Sequence, residues 1–332
     1  SLDFASVVRY RPLSIANTGS GTLTWTITDD MDWLTVDPSS GAGGRTVMVK
    51  VDRSEVSEGA HSGTVTVNSN AGSATVEVTM SVPPAGTHGL TNLFFLHHST
   101  GDGLIGQDTV PGGIMRSVIT DYNTAHATSF AFWDHCYNDP GLRNPDGTYP
   151  DPPVSYNIPN DNTDPEGLWY LWTSSETDAV TARSAILDNH QVIAFKSCFP
   201  ASAIGDAATL EQYKTWYLQM RNFFDTRTDR LFVVMSTPPL HRLATNETEA
   251  WNARMFANWL SSAEYLPGHP NVVCFNLFDY LAKADDGSAT ANMLRYEYEG
   301  SHSDSDSHPN TLANETVGPI FAQFLIDAAL AY

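Results

Sequence analysis

The fold is decided by residues 93–103, which read Leu-Phe-Phe-Leu-His-His-Ser-Thr-Gly-Asp-Gly. The first four residues form a continuous apolar run, which is typical of a strand buried on both faces of a parallel sheet. Ser99 stands where this strand ends, and the glycines after it allow close approach of the backbone. Because ligands bind at the carboxyl ends of strands in an open α/β sheet, Ser99 is a candidate nucleophile.

Further apolar runs follow this stretch, at residues 129–133, 192–195, 231–235 and 272–275. Helical patterns lie between them, and an amphipathic segment closes the chain. These helices are predicted near residues 112–122, 177–188, 207–226 and 246–262. Alternating strands and helices predict an α/β domain with a mainly parallel, five-stranded sheet that helices cover on both sides.

Residues 134–175 interrupt this alternation with Pro, Asp, Asn and Gly throughout, which predicts a long loop near the site. No metal is needed to explain this loop. A second interpretation is that Asp161, Asp164 and Glu166 hold Ca²⁺, because hard oxygen ligands cluster there.

The first 82 residues contain short, alternating β-type runs between turn residues and predict an all-β sandwich. Residues 83–89, Pro-Pro-Ala-Gly-Thr-His-Gly, cannot continue a strand ladder and are interpreted as a linker. The chain therefore divides into a sandwich at 1–82, a linker at 83–89 and an α/β domain at 90–332.

Composition excludes several partners. Seventeen Lys and Arg stand against 38 Asp and Glu among 332 residues, and the formal charge of −21 opposes nucleic acid and anionic lipid surfaces. No apolar run is long enough to span a membrane. The three cysteines show neither a disulfide framework nor zinc spacing, although a single Cys136–Cys198 bridge is a second interpretation.

The N-terminal segment resembles immunoglobulin-like modules of the BACON type. The resemblance is carried by residues 15–19 (Ile-Ala-Asn-Thr-Gly), 33–41 (Trp-Leu-Thr-Val-Asp-Pro-Ser-Ser-Gly) and 69–72 (Ser-Asn-Ala-Gly). Such modules accompany secreted bacterial enzymes, often carbohydrate-active ones. The resemblance therefore implies a secreted or cell-surface bacterial protein whose module is a spacer or contacts a glycan.

A second polar block precedes the last helix at residues 301–310, Ser-His-Ser-Asp-Ser-Asp-Ser-His-Pro-Asn. The imidazole of His308 is a candidate base for a serine proton, because it titrates near neutral pH. Asp306 or Asp304 is the candidate acid that orients it, and we expect Asp306. A metal centre built from the histidines and aspartates of both polar blocks is a second interpretation.

Together, the two blocks resemble the SGNH, or GDSL-type, hydrolase superfamily over residues 90–332. The resemblance implies a flavodoxin-like, three-layer α/β/α fold with Ser99 as nucleophile and His308 as base. The family's usual Gly-Asp-Ser is His97-His98-Ser99 here, and the family's Gly-x-Asn is absent after the third strand. We therefore expect the oxyanion hole to use Ser99 with Ser197 or Asn138.

The sequence thus predicts a serine esterase that needs no cofactor. Its expected substrate is a small-molecule or polysaccharide ester, and the resemblance favours an acetyl group on a carbohydrate. We expect His98, Trp133 and Trp169 to contact this substrate, although packing of an otherwise core-poor loop explains the tryptophans equally well. The alternative function is a catalytically degenerate protein that binds a glycan or a surface partner.

Overall fold

The computed structural model describes residues 1–4, 10–19, 21–53, 56–57, 59–82, 90–106 and 112–332. The chain forms two compact units, whose main segments are Ser1–Thr87 and His88–Lys283 with Ala289–Leu330. The predicted linker, residues 83–89, lies outside the described residues. Of the helices in the described part of the chain, none is both long and apolar enough to cross a membrane.

The N-terminal unit is β-rich. Its strands are β1 (Leu2–Asp3), β2 (Tyr10–Ile15), β3 (Thr24–Asp29), β4 (Leu34–Asp37), β5 (Ser40–Ala42), β6 (Arg45–Val51), β7 (Gly59–Ser69) and β8 (Gly72–Val82). They form one sheet of order β1-β8-β7-β3-β5 and another of order β2-β6-β4. Two sheets are expected of an immunoglobulin-like module.

Both sheets of this unit contribute to a single core. Trp25 of β3 and Val49 of β6 are buried in it, while alternate residues of β3 face outward. The hairpin predicted from the alternating pattern is present, with a two-residue turn between Ser69 and Gly72. The period of two in the sequence therefore separates the core face from the solvent face.

The C-terminal unit contains a six-stranded sheet. Its strands are β9 (Asn92–Leu96), β10 (Ala131–His135), β11 (Leu142–Arg143), β12 (Val192–Lys196), β13 (Leu231–Met235) and β14 (Val272–Phe275). They lie in the order β11-β10-β9-β12-β13-β14. Five of them pair in parallel, as the apolar runs predict, and β11 adds an antiparallel edge. The sequence did not predict β11, because two residues are too few to show a pattern.

The order of the parallel strands positions the site. Numbered along the chain, these five strands run 2-1-3-4-5 across the sheet, and β9 is strand 1. The chain turns to opposite sides of β9 when it forms β10 and β12. Ligands in open α/β sheets bind at such a switch point, beyond the carboxyl ends of the strands. Ser99 follows β9 at this end.

The helices of the C-terminal unit are α1 (Ser99–Ile105), α2 (Ile114–His126), α3 (Pro165–Thr173), α4 (Thr177–Asn189), α5 (Ala207–Phe224), α6 (Glu247–Leu260), α7 (Leu277–Leu281) and α8 (Thr311–Ala331). Helices α2, α4, α5, α6 and α8 lie where the sequence predicts helices. Val317, Phe321 and Leu325 of α8 are buried along one stripe, as their spacing indicates.

The segment 134–175 is not the continuous loop that its composition predicts, because it contains β11 and α3. Helix α3 begins with Pro165 after Asp164, whose side chain accepts the backbone N–H of Gly167 at 2.6 Å. Leu168 of this helix is fully buried. A good cap and a narrow apolar face were enough to form a helix among turn-forming residues.

Candidate active site

Ser99 is the first residue of α1, just beyond the end of β9. His97 and His98 connect the strand to the helix, and the Gly101 backbone N–H donates to the carbonyl of His98 at 2.7 Å. A Cβ atom at Gly101 would overlap with the His97 side chain, so only glycine fits there. The predicted turn is therefore the start of a short helix, which fixes the serine backbone.

Ser99, His308 and Asp306 form a chain of hydrogen bonds. The Oγ atom of Ser99 lies 2.8 Å from Nε2 of His308, and Nδ1 of His308 lies 2.6 Å from Oδ1 of Asp306. The Phe199 ring packs edge-on against the imidazole, with 4.9 Å between the centroids. Residues that are 209 positions apart in sequence are thus brought together in the arrangement that acyl transfer requires.

Asp306, rather than Asp304, contacts the imidazole. Asp304 accepts the backbone N–H of Asp306 at 3.0 Å and so supports the loop. Burial would raise the pKa of Asp306, but hydrogen bonds from His308 hold it below its ordinary value. An ionised Asp306 accepts the Nδ1–H of His308, which leaves Nε2 free to take a proton from Ser99.

The loop that carries Asp306 and His308 is anchored at both ends. The buried carboxylate of Glu299 lies 3.1 Å from Nε2 of His241 and 3.0 Å from Nε of Arg242. The Ser307 hydroxyl accepts the backbone N–H of His241 at 2.9 Å. Asn310 then caps α8. These contacts hold the imidazole toward the end of β9.

A cleft of about 350 Å³ opens beside the serine and the histidine. The His308 side chain is 42% exposed, so a small substrate can reach it. Pockets of this size hold small ligands. The described residues that line the cleft are Ser99, Thr100, Asp102, Gly103, Cys136, Tyr137, Pro140, Tyr149, His308, Pro309 and Asn314.

The side chains of Ser197 and Asn138, predicted for the oxyanion hole, have other partners. Ser197 is fully buried, and its hydroxyl lies 3.5 Å from that of Tyr217. The Asn138 amide donates to the carbonyl of Ile158 at 2.9 Å and accepts its N–H at 2.8 Å. Neither residue is in the described lining of the cleft. Their oxyanion role stays a prediction without a supporting contact, and the Ser99 backbone N–H is the predicted donor at the site.

His98 supports the cleft from behind. Its ring stacks on Tyr137 with 4.3 Å between centroids, and its Nε2 atom lies 3.8 Å from the Asp161 carboxylate. Burial is the main reason that the pKa of His98 is lowered to about 4, so the ring is neutral at physiological pH. His98 itself is outside the described lining. Its predicted substrate contact stays a prediction, and its ring contacts Tyr137, which does line the cleft.

Trp133 and Trp169 pack within the unit instead of lining the cleft. Trp133 lies in β10 against the core, 6.0 Å from the ring of His190. Trp169 of α3 stacks on Trp216 with 6.0 Å between centroids and donates to Gln219. Their predicted substrate contact therefore stays a prediction, and neither ring is in the described lining of the cleft.

A buried ionic cluster lies next to the serine, and the sequence did not predict it. Asp134 accepts His97 Nε2–H at 3.0 Å and Arg143 Nε–H at 2.8 Å, and it also pairs with Arg116. Arg143 reaches on to Asp102 of α1. The cluster ties β9, β10, β11, α1 and α2 together around the segment that carries Ser99.

The members of this cluster are charged. Burial alone would lower the pKa of His97, but its hydrogen bond to Asp134 raises it to about 9. Burial would raise the pKa of Asp134, whereas His97 and the two arginines hold it well below its usual range. Asp134 begins the segment predicted as a loop, so no sequence signal indicates a buried charge there.

The three cysteines are free, so the Cys136–Cys198 bridge does not form. Instead, the Cys198 Sγ atom lies 3.7 Å from Oγ of Ser99 and 3.5 Å from Oγ1 of Thr100. Burial would raise the pKa of Cys198, but the neighbouring Lys196 side chain and hydrogen bonds with Thr100 and Ser99 lower it. A reactive thiol therefore stands beside the candidate nucleophile.

Side chains that were considered as metal ligands make other contacts in the structure. In the described part of the chain, no group of three His, Cys, Asp or Glu side chains could hold a metal ion. Asp161 accepts the backbone N–H of Asn138 at 2.9 Å, and Asp164 caps α3. Glu166 is exposed in the first turn of that helix.

Residues 1–81 match the family model described as "Viral BACON domain". The N-terminal module is BACON-like. The match covers this module alone and does not extend to the site around Ser99. No curated protein matches the chain.

The chain has distant likeness to several solved structures. The chain is similar to the Pseudomonas aeruginosa CupB2 chaperone at 11% identity and a TM-score of 0.22, over 24% of this chain and 52% of that one. It is also similar to a Bacteroides ovatus GH5 xyloglucanase in complex with a heptasaccharide, at 14% identity and a TM-score of 0.22. This likeness covers 77% of this chain and 58% of that one. The chain spans about half the length of the chaperones it matches.

Proposed function

We propose that the C-terminal unit is a serine esterase of the SGNH, or GDSL-type, class. The observation that carries the proposal is the hydrogen-bonded chain of Ser99, His308 and Asp306 beside an open cleft. The strand order 2-1-3-4-5 supports it, because this order is flavodoxin-like and Ser99 follows the strand at its switch point.

In the proposed reaction, the Ser99 Oγ atom attacks the ester carbonyl carbon while its proton passes to Nε2 of His308. The C–O bond to the alcohol breaks, and the imidazolium gives that proton to the leaving oxygen. Water then attacks the acyl-enzyme, and its proton passes through His308 back to Ser99. Asp306 stays ionised and stabilises the imidazolium in both halves.

The oxyanion of the tetrahedral intermediate is expected to bind the backbone N–H of Ser99. Ser197 and Asn138 are occupied by Tyr217 and Ile158, so further donors are not assigned. Loss of one donor costs about 3 kcal/mol of transition-state stabilisation in enzymes of this kind. We therefore expect slower turnover than in an esterase with a complete hole.

Hydrolysis of p-nitrophenyl acetate by the full chain tests the proposal. Ser99→Ala and His308→Ala should each lower kcat/KM at least about 1000-fold, because each removes a member of the proton-transfer chain. Ser184→Ala and His126→Ala are matched controls, since both residues are exposed on helices away from the cleft. These controls should retain activity within about threefold of the wild type, as surface substitutions usually do.

Hydrolysis that persists in Ser99→Ala would refute the proposal. A folded wild-type chain that neither hydrolyses the ester nor forms an acyl-enzyme would instead favour the alternative, a degenerate hydrolase that binds its ligand without turnover. Either function is proposed for a secreted or cell-surface protein, where a BACON-like module acts as a spacer or contacts a glycan.

A further inference from the structure

Two exposed tyrosines flank the cleft beside Ser99. Tyr137 and Tyr149 are large hydrophobic residues with exposed surface, at 42% and 41% exposure. Both rings line the cleft that contains Ser99 and His308. Aromatic rings that stay exposed next to a reactive group are candidates for ligand contact, because their burial on binding is favourable.

Each ring is held from behind. The neutral His98 imidazole stacks on Tyr137 at 4.3 Å, with an angle of 21° between the planes. The Arg143 guanidinium lies 5.8 Å from the Tyr149 ring centroid and is itself fixed by Asp134 and Asp102. These contacts restrict the motion of both rings before a ligand binds, which reduces the entropic cost of binding.

Polar acceptors complete the lining. The Asp102 carboxylate is 44% exposed and is oriented by its ion pair with Arg143. The Asn314 amide also lines the cleft, and its Nδ2 atom donates to the Pro309 carbonyl at 3.3 Å. A carboxylate accepts hydrogen bonds from hydroxyl groups, and an amide oxygen can accept another. The cleft therefore offers ring faces and hydroxyl acceptors together.

The same lining disfavours other esters. Among its described residues there is no Leu, Ile, Val, Phe or Met side chain that could cover a long acyl chain. Its described residues also include no Lys or Arg, and the whole chain carries −21. A carboxylate or phosphate on the substrate would find no cationic partner among these residues and would face the negative potential of the chain.

We infer that Tyr137 and Tyr149 hold the ring of a neutral sugar and present its short acyl ester to Ser99. This inference rests on the esterase proposed above and names the alcohol part of its substrate. The C–H faces of the sugar pack against the tyrosine rings, and its hydroxyls donate to Asp102 and Asn314. The cleft, at about 350 Å³, has room for one such ring with an acetyl group.

The test compares acetate release from a monoacetylated methyl glucopyranoside with release from ethyl acetate, which has the same acyl group and no ring. In Tyr137→Ala and Tyr149→Ala, the ratio of the two kcat/KM values should fall about tenfold, which is near the worth of a ring contact. Tyr137→Phe and Tyr149→Phe keep the ring and should change this ratio less than about threefold, because the hydroxyl is not invoked. Tyr332→Ala is the matched control, since Tyr332 is equally exposed, at 42%, outside the cleft.

A charged analogue tests the neutrality of the sugar. The wild type should hydrolyse a monoacetylated methyl glucuronide at least about tenfold less efficiently than the glucopyranoside, because one repulsive contact near 1.4 kcal/mol has that effect. Asp102→Asn should narrow this gap. The inference would be overturned if the ratio of kcat/KM for the acetylated glucopyranoside to that for ethyl acetate were the same in the wild type, Tyr137→Ala and Tyr149→Ala. A preference of the wild type for the glucuronide would also overturn it.

Direct binding separates failure of this inference from failure of the esterase. The Ser99→Ala chain should bind the intact acetylated glucopyranoside, and adding Tyr137→Ala should raise Kd about tenfold. If the wild type hydrolyses p-nitrophenyl acetate through Ser99 but the tyrosine variants are unchanged in both assays, the sugar site alone is wrong. If binding depends on the tyrosines while no ester is hydrolysed, the esterase is wrong and the sugar site stands.

Discussion

The Nε2 atom of His97 lies 3.0 Å from Oδ2 of Asp134, and neither side chain has exposed surface. This ion pair joins the ends of two neighbouring parallel strands, two residues before the candidate nucleophile. Arg116 and Arg143 add two further cations to the same carboxylate. The stability of the unit and the position of Ser99 therefore depend on one buried charge.

Asp134→Asn should lower the free energy of unfolding by about 3–5 kcal/mol, because it leaves buried cations without their counter-charge. Urea unfolding of the full chain measures the effect. Asp188→Asn, on the exposed face of α4, is the matched control and should change stability by less than about 0.5 kcal/mol. Equal effects of the two substitutions would show that the cluster does not stabilise the unit.

The same pair predicts a loss of stability at alkaline pH. The pKa of His97 is raised from 6.5 to about 9 in the folded chain, so its contribution is complete below pH 6.5 and is lost as the pH rises through about 9. The full shift corresponds to about 3 kcal/mol. Urea unfolding between pH 6.5 and 9 measures the decline, and an NMR titration of the His97 ring measures its pKa. A His97 ring that loses its proton below pH 7 would contradict the prediction.

Buried charges show why sequence reasoning missed part of this site. The apolar run of β9 and the serine after it follow a local pattern, so the strand and the nucleophile could be predicted together. Asp134 could not, since its partners Arg116 and Arg143 lie in other elements with no regular spacing. Only the folded strand order brings them to one carboxylate.

The identity of the triad acid can be tested by a matched pair of substitutions. Asp306→Asn should lower kcat at least about 100-fold, because the amide no longer stabilises the imidazolium or selects the productive tautomer. Asp304→Asn should lower kcat less than about threefold, because its carboxylate accepts the backbone N–H of Asp306 and the amide oxygen of Asn can do the same. Hydrolysis of p-nitrophenyl acetate gives both values, and the reverse order would move the acid role to Asp304.

The position of Cys198 beside Ser99 predicts that ester hydrolysis is sensitive to thiol reagents. Its lowered pKa and partial exposure should make iodoacetamide modify Cys198 before the buried Cys136 and Cys274. The added group would lie beside Ser99 and block ester hydrolysis. Peptide mapping identifies the modified residue, and Cys198→Ser should keep its activity after treatment. Inactivation that is equally fast in Cys198→Ser would place the sensitive group elsewhere.

The residues that line the cleft are the other part of the site that could not be predicted from the sequence. Trp133 and Trp169 have the aromatic character expected of a sugar contact, and in the structure their rings pack against His190 and Trp216 outside the described lining of the cleft. Tyr137 and Tyr149 lie among turn-forming residues, where composition alone does not distinguish a packed ring from an exposed one. The difference depends on β11 and on the helices that enclose the segment.

The central claim is that Ser99 is a nucleophile activated by His308. Labelling of the full chain with a fluorophosphonate probe, followed by peptide mapping, tests it most directly. We predict one labelled residue, Ser99, with labelling abolished in Ser99→Ala and strongly slowed in His308→Ala, while His126→Ala labels like the wild type. A folded wild-type chain that stays unlabelled, or a label on another serine, would contradict the account.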